Sequence, residues 1–201
     1  MLFDFGGVIT TSPFDNFALL EQRRGVPADT IRKINSTNPD TNAWAQYERS
    51  DVDAAGFCEL FEAEAASLGY EIPGIEVLEC IKTEIRPFMV DALRAVNERY
   101  RTAMLTNNFS AGDDPGSGSH GGTKQLFEVI IESAKVGVRK PTPRFYEIAC
   151  EALGVAPEAC VFLDDLGINL KPARAMGMTT IKVADPYVAL AELGDVLDMS
   201  F

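Results

Sequence analysis

VFLDDLGINLKPARAMGM, residues Val161 to Met178, is the stretch that gives the most information about the fold of this chain. The stretch begins with a short apolar run, which is typical of a buried strand in a parallel sheet. Asp164 and Asp165 lie at the carboxyl end of that strand, where open α/β sheets place their ligands. Adjacent carboxylates repel each other unless a cation or solvent compensates, and a hard divalent ion such as Mg²⁺ would do so. A solvated strand end with an aspartate helix cap is the alternative interpretation.

The amino terminus forms a second apolar strand that ends in a carboxylate. Asp4 follows the run Met-Leu-Phe and precedes Gly6 and Gly7 after one residue. Gly7 permits a tight turn, and Gly6 lets the backbone come close to a ligand. An aspartate is ionised at neutral pH and needs no base to act as a nucleophile, so Asp4 is a candidate nucleophile. The structural alternative is that Asp4 only caps the turn. Only three residues precede Asp4, so the sequence leaves open whether the amino terminus is complete.

Two more segments supply hydroxyl, amide and ammonium groups. Thr106 and Asn107 end an apolar strand that begins near residue 101, and Lys140 precedes Pro141, which restrains its backbone. These groups can neutralise a phosphoryl group, and positioning with charge neutralisation supplies most of the catalysis of phosphoryl transfer. A buried hydroxyl bonded to the backbone and a surface lysine are the structural alternatives for Thr106 and Lys140.

The order of these four segments resembles the four motifs of the haloacid dehalogenase-like (HAD) hydrolase superfamily. The stretches KVGVRKP at 135–141 and FLDDLGINLKPARAMGM at 162–178 are similar to the phosphatase domain of soluble epoxide hydrolases and to related bacterial phosphatases. The resemblance implies an α/β fold with a Rossmann-like three-layer parallel sheet and a helical cap inserted after the first strand. It also implies a Mg²⁺-dependent phosphatase that hydrolyses small phosphate monoesters through an aspartyl-phosphate.

The resemblance assigns roles to the residues that would bind and attack the substrate. Asp4 is the nucleophile, and Lys140 and Thr106 complete the catalytic set. Thr106, Asn107 and Lys140 bind the phosphoryl group of a small phosphorylated molecule.

The implied metal ligands include one departure from the family pattern. Asp4, the main-chain carbonyl of Gly6 and Asp165 would hold Mg²⁺, with Asp164 as a further ligand or as a residue that orients the others. HAD phosphatases usually carry a second aspartate two residues after the nucleophile as general acid and base, and Gly6 occupies that position here. Such help is commonly worth about 10²–10⁴ in rate. Several interpretations of Gly6 therefore remain open. The protein is a slow phosphatase, or it acts on substrates with an easily expelled leaving group, or a group from the cap replaces the missing aspartate. Alternatively, it binds phosphorylated ligands without turnover.

A 2-haloacid dehalogenase is the alternative chemistry within the same resemblance. It attacks carbon with the same carboxylate and needs no Mg²⁺, so paired carboxylates and a phosphate-binding lysine would have no use. It would need an arginine for the substrate carboxylate, and Arg23, Arg24 and Arg49 are the candidates.

The sequence divides into a helical part and an alternating part. Residues 12–86 show helical patterns only, and from residue 87 onward strands and helices alternate, which predicts a parallel sheet with helices on both faces. We therefore predict a core domain from residues 1–11 and 87–201 and a helical cap from residues 12–86. Residues 111–123, rich in glycine and serine, predict a mobile loop, and its histidine, His120, receives no role.

Composition limits the partners and the compartment. The formal net charge of −12 disfavours nucleic acid and anionic membranes as partners. The cysteines show no CxxC spacing and are expected to be buried thiols in a reducing compartment; they are Cys58, Cys80, Cys150 and Cys160. No apolar run reaches the roughly 18 residues of a membrane span. We expect a cytoplasmic enzyme, and the sequence leaves open whether it forms a homodimer.

Overall fold

The structure is a computed structural model that describes residues 1–108 and 121–201. The described residues divide into two compact units. The core unit comprises residues 1–11, 84–107 and 121–201, and the helical unit comprises residues 12–83 with Asn108. Residues 111–120 of the predicted mobile loop, with His120, lie outside the described residues. The last three residues of that predicted loop instead belong to a short helix, Gly121–Lys124.

The core unit contains a parallel sheet of five strands in the order β3-β2-β1-β4-β5. The strands are β1 (Leu2–Phe3), β2 (Ala103–Thr106), β3 (Val129–Glu132), β4 (Val161–Asp164) and β5 (Thr179–Lys182). The short β1 is central and pairs with β2 on one side and β4 on the other. The carboxyl ends of the three middle strands are therefore neighbours at one edge of the sheet.

The helical unit lies between β1 and β2 in the sequence. Its helices are α1 (Pro13–Arg24), α2 (Thr30–Ser36), α3 (Ala43–Glu48), α4 (Ala54–Ser67) and α5 (Gly74–Cys80). Ser12 caps α1, Asp53 caps α4 and Gly25 ends α1 in the left-handed region, which are residue types typical of these positions. An aromatic core holds the unit together, because Phe57 contacts the rings of Trp44, Tyr47 and Phe61.

The helical pattern predicted up to residue 86 is wrong at its carboxyl end, since α5, the last helix of this stretch, stops at Cys80. Residues beyond it pair with the segment that follows β1 instead. The backbone N–H of Arg86 donates to the carbonyl of Ile9, and Thr11 exchanges two hydrogen bonds with Glu84. Because these groups are satisfied by a neighbouring extended chain, a helix has no advantage there.

The remaining helices cover both faces of the sheet. They are α6 (Pro87–Asn97), α7 (Gly121–Lys124), α8 (Ser133–Val136), α9 (Pro143–Leu153), α10 (Gly167–Ala175) and α11 (Pro186–Leu197). Side chains alternate along each strand, so Phe3 and Leu163 join one apolar cluster while Leu2 and Phe162 join the other. The first cluster contains residues of α6 and α11, and the second contains residues of α9 and α10.

The predicted Rossmann-like α/β fold with three layers is confirmed. Among the described residues, no helix combines the length and the apolar character that crossing a membrane requires.

Candidate active site

The sheet topology brings three predicted site residues to one edge. Asp4 follows β1, Thr106 ends β2 and Asp164 ends β4, and these strands are neighbours. The backbone N–H of Asp4 donates to the carbonyl of Leu163 at 2.9 Å, which continues the parallel pairing one residue past β1. Asp4, Thr106 and Asp164 are all buried. Burial of a carboxylate requires compensation, so the groups around each aspartate determine what this edge can do.

Residues Phe5–Ile9 form a tight turn after Asp4, closed by a hydrogen bond of 3.0 Å from the N–H of Thr10 to the carbonyl of Phe5, and its two glycines have non-helical conformations. Asp4 begins it, because its Oδ1 accepts a hydrogen bond from the backbone N–H of Phe5 at 2.6 Å. Gly7 has a φ of 74°, and a Cβ built there would lie 2.2 Å from Oδ2 of Asp165. Gly6 has an ordinary φ of −67° and no heavy atom within 4 Å of such a Cβ. Glycine is therefore a steric requirement at position 7 and not at position 6.

Arg86 fixes the same turn from outside. Its Nη1 donates to the carbonyl of Gly7 at 2.5 Å and to that of Val8 at 3.2 Å. Carbonyls at the end of a single turn lack helical partners, and the guanidinium supplies them. The turn that carries the two glycines is thus held by a cation as well as by Asp4.

Lys140 joins two of the carboxylates. Its Nζ lies 2.9 Å from Oδ1 of Asp4 and 2.7 Å from Oδ2 of Asp164. Only 1% of the side chain is exposed, and the ammonium stands 5.6 Å from the centre of the Phe162 ring. Lys140 is therefore a buried cation, and the surface-lysine alternative is excluded.

Asp164 is held inside the protein by several donors. Besides Lys140, the backbone N–H of Leu166 donates to its Oδ1 at 2.8 Å. The side-chain amide of Asn169 reaches both oxygens, at 3.0 and 3.1 Å. Tyr146 in turn donates its hydroxyl to the carbonyl of Asn169 at 2.7 Å. These contacts favour the orienting role for Asp164 over that of a direct metal ligand.

Three carboxylates converge in a cluster that could hold a metal ion. Asp4, Asp164 and Asp165 each offer an oxygen, and these oxygens all lie within 4.8 Å of one another. With the single charge of Lys140 beside three ionised carboxylates, these four residues would carry a net charge of −2. Hard divalent cations prefer carboxylate oxygens, so the donor set and its charge fit Mg²⁺.

Burial and charge shift the pKa of two of these groups. Burial raises the pKa of Asp4 well above its usual value, and the charges of Asp164 and Asp165 add to this, against the opposing effect of Lys140. Burial by itself would lower the pKa of Lys140, but Asp164 and Asp4 outweigh it and raise that pKa above its ordinary value. Lys140 therefore stays protonated. A cation bound beside Asp4 would favour its ionised form.

The other predicted site residues lie at the same edge of the sheet. Thr106 ends β2, and its hydroxyl is 3.5 Å from the carbonyl of Asn107. The side chain of Asn107 contacts the main chain of Lys140. Gly6 lies in the turn directly after Asp4. The predicted catalytic, substrate-binding and metal-binding roles of these residues remain predictions.

Asn169, Tyr146 and Arg86 lie outside the predicted set and support it. Asn169 contacts Asp164, Tyr146 holds Asn169, and Arg86 holds the turn after Asp4. Asn169 follows the paired aspartates in the sequence and lies on the first turn of α10, and this local position is the signal that could have identified it. Tyr146 and Arg86 lack such a signal, because their contacts depend on the tertiary fold.

Replacement of Gly7 by alanine should cost more stability than the same change at Gly137. Both glycines have left-handed φ values, 74° and 70°, and an alanine there costs about 1–2 kcal/mol. Around Gly137 no heavy atom lies within 4 Å of the new Cβ, whereas at Gly7 the carboxylate of Asp165 must move. Urea unfolding of the two variants should give a larger loss of unfolding free energy for Gly7→Ala. Equal losses would contradict the close contact with Asp165.

Comparison with known proteins now identifies the family. The sequence model of haloacid dehalogenase-like hydrolases matches residues 1–177. The chain belongs to this family. It is a hydrolase of the HAD type, as the order of its motifs predicts.

Similar proteins include longer proteins that this chain covers only in part and a phosphatase that it covers almost completely. Mouse acyl-CoA dehydrogenase family member 10 is 30% identical over 98% of this chain, which covers 19% of that protein. Pig bifunctional epoxide hydrolase 2 is 40% identical over 55% of this chain and 20% of its own length. A sesquiterpene phosphatase of Aspergillus oryzae is 25% identical over 96% of this chain and 93% of that protein. The chain thus spans about a fifth of the first two relatives.

Solved structures share the fold at low sequence identity. A HAD family enzyme of Bacteroides thetaiotaomicron, in complex with magnesium and inorganic phosphate, has a TM-score of 0.59 and 19% identity over 90% of this chain and 91% of its own. An L-2-haloacid dehalogenase of Xanthobacter autotrophicus, with chloropropionic acid covalently bound, has a TM-score of 0.63 and 18% identity over 100% of this chain and 83% of its own. At such identities these likenesses show the fold alone.

Proposed function

We propose that this chain is a Mg²⁺-dependent phosphatase that hydrolyses small phosphate monoesters through phosphorylation of Asp4. The observation that carries the proposal is a cluster of three carboxylates, two of which are bridged by one buried lysine. The phosphatases among its relatives support it, since one of them is similar over nearly its full length. So does the structural likeness to a HAD enzyme whose structure holds magnesium and inorganic phosphate.

Asp4 would carry the bond-making step. Its Oδ1 is held by the N–H of Phe5 and by Lys140, which fixes the orientation of the carboxylate at the end of β1. The carboxylate attacks phosphorus, an acyl-phosphate bond forms, and the bond to the ester oxygen breaks. Water then attacks phosphorus, releases inorganic phosphate and restores Asp4. A proton must reach the leaving oxygen in the first step, and Gly6 cannot supply it.

Lys140 and Thr106 would bind the phosphoryl oxygens. Lys140 is a fixed, buried cation, and its electrostatic attraction for a phosphoryl oxygen is stronger in this buried position than in water. Thr106 presents a hydroxyl at the end of the neighbouring strand, and Asn107 follows it. When bound, Mg²⁺ would neutralise the negative charge that develops on the phosphoryl oxygens. Asp4, Asp165 and the carbonyl of Gly6 would hold it, and Asp164 would orient Lys140 beside them.

The helical unit would act as the cap that selects the substrate. Its five helices, α1 to α5, lie between β1 and β2 in the sequence. We further propose a cytoplasmic enzyme whose partner is a small phosphorylated molecule, with no nucleic-acid or membrane partner. The net charge of −12 supports the absence of nucleic-acid and anionic-membrane partners.

The acidic cluster favours phosphate over halide chemistry. A carboxylate that attacks carbon needs no cation beside it, and two further carboxylates within 4.8 Å would only repel an anionic substrate. A screen of phosphate monoesters with Mg²⁺, scored by release of inorganic phosphate, tests the proposal. We expect release from several sugar, alkyl or acyl phosphates. Release from none of them, with halide release from 2-haloacids, would refute it.

Gly6→Asp should raise turnover of alkyl phosphates more than that of aryl phosphates. Gly6 has an ordinary φ, and no heavy atom lies within 4 Å of a Cβ built there, so the backbone accepts a side chain at this position without strain. The carboxyl group of the new aspartate would donate the proton that a poor leaving group needs, and such help is commonly worth about 10²–10⁴. Steady-state kinetics on one alkyl and one aryl phosphate give the comparison. An equal change on both substrates would count against a missing general acid.

A further inference from the structure

We propose that Asn107 is a positioning residue that places the Lys140 ammonium through its main chain. The inference rests on the proposed function. The side-chain Nδ2 of Asn107 donates to the carbonyl of Lys140 at 3.1 Å, and its Oδ1 accepts from the N–H of Lys140 at 2.9 Å. One side-chain amide thus binds both polar groups of a single backbone residue.

The chemistry of the two residues fixes this arrangement. The main-chain N–H of Lys140 can only donate and its carbonyl can only accept, so the amide oxygen must face the first and the amide nitrogen the second. No other orientation of the Asn107 amide makes both bonds. The contact is therefore specific for a primary amide at this reach.

The segment that carries Lys140 needs an external partner. It lies between α8, which ends at Val136, and α9, which begins at Pro143, and it contains no regular helix or strand. Asn107, in contrast, directly follows β2, which pairs with β1 and β3 in the sheet. The amide of Asn107 therefore ties an irregular segment to a rigid strand next to the one that carries the nucleophile.

The tie matters because the ammonium bridges two carboxylates at short distances. Lys140 Nζ is 2.9 Å from Asp4 and 2.7 Å from Asp164, and a backbone shift of about an ångström would break such contacts. The effect of Asn107 on catalysis should then pass through Lys140. A residue that bound phosphate only by itself would act independently of that lysine.

A double-mutant cycle tests this dependence. Asn107→Ala should lower kcat about 10- to 100-fold with a smaller change in KM, which is the usual effect of removing a supporting hydrogen bond at a site. In the background of Lys140→Met the same change should have almost no effect on kcat, because the group that Asn107 places is gone. Additive losses in the two backgrounds would overturn the proposal. Asn107→Asp, which is nearly isosteric, replaces the alanine variant if that variant does not fold.

Asn97→Ala is the matched control. Asn97 also spans two groups of the core unit, since its Nδ2 donates to the carbonyl of Leu126 at 2.7 Å and its Oδ1 accepts from the hydroxyl of Thr102 at 2.6 Å. Asn97 ends α6, and its partner Thr102 directly precedes β2, so this contact is at the amino end of the strand whose carboxyl end carries the site. This variant should lose stability and keep kcat. A similar fall in kcat for Asn97→Ala would mean that Asn107 acts only on stability.

A measurement without turnover separates this inference from the proposed function. In ¹⁵N NMR of the metal-free protein, Asn107→Ala should increase exchange of the Lys140 backbone amide by about 10-fold or more and shift its side-chain ammonium signal. Asn97→Ala should change neither signal. Unchanged Lys140 signals in Asn107→Ala overturn the inference. Absence of phosphate release by the wild type refutes the proposed function instead, and these signals then decide the placement of Lys140.

Discussion

Asp4→Asn should reduce phosphate release by about 10⁴-fold or more, because a carboxamide cannot attack phosphorus. The fold should persist. The asparagine oxygen can still accept the hydrogen bonds that Phe5 and Lys140 donate to Oδ1 of Asp4. The change also removes a buried carboxyl group whose charged form is disfavoured by burial and by two neighbouring carboxylates, so the thermal midpoint of the metal-free protein should not fall. Initial rates with Mg²⁺, together with thermal unfolding, give both values.

Asp195→Asn is the control for this experiment. Asp195 is an exposed aspartate on α11 of the same unit, so the substitution should leave both rate and stability unchanged. Retention of wild-type turnover in Asp4→Asn would rule out this residue as the nucleophile. A variant that loses activity together with its folded structure would be replaced by Asp4→Ser, which also lacks the carboxylate.

Removal of divalent cations should abolish phosphate release, and Mg²⁺ should restore it. Asp4, Asp164 and Asp165 leave an excess of negative charge beside Lys140, and an anionic substrate adds to that excess. Without a cation, neither the buried carboxylates nor the phosphoryl group is neutralised. The measurement is turnover after treatment with EDTA, followed by addition of Mg²⁺.

Binding of Mg²⁺ should also raise the stability of the folded protein. At about 100 times its dissociation constant a ligand adds about 2.7 kcal/mol to the unfolding free energy, so the thermal midpoint should rise with Mg²⁺. Asp165→Asn, which removes one carboxylate of the cluster, should lose most of this rise. Hydrolytic activity that survives EDTA would point to attack on carbon, as in the dehalogenase alternative.

The strand-end carboxylates could be predicted because parallel sheets follow a simple rule. Short apolar runs that end in Asp4, Thr106 and Asp164 predict strands whose carboxyl ends meet, and the structure places all three at one edge. Lys140 lies outside any strand, so its position was expected only from the resemblance. The structure shows it bonded to Asp4 and Asp164.

The supporting contacts could not be predicted, because they join residues far apart in the chain. Arg86 holds a carbonyl 79 residues earlier, and Asn107 binds a backbone 33 residues later. Such contacts depend on how the loops pack against the sheet, and the local sequence pattern does not indicate them. The start of helix α11, in contrast, has a local sequence signal, because Asp185 caps the helix and Pro186 occupies its first position.

Direct detection of the phosphorylated enzyme tests the central claim. Wild-type protein is mixed with a substrate and Mg²⁺, quenched in acid within one turnover, and digested for mass spectrometry. One phosphoryl group is expected on the peptide that contains Asp4, and none on that peptide from Asp4→Asn. Turnover with this peptide unmodified throughout, at a rate that Asp4→Asn retains, would contradict the central claim.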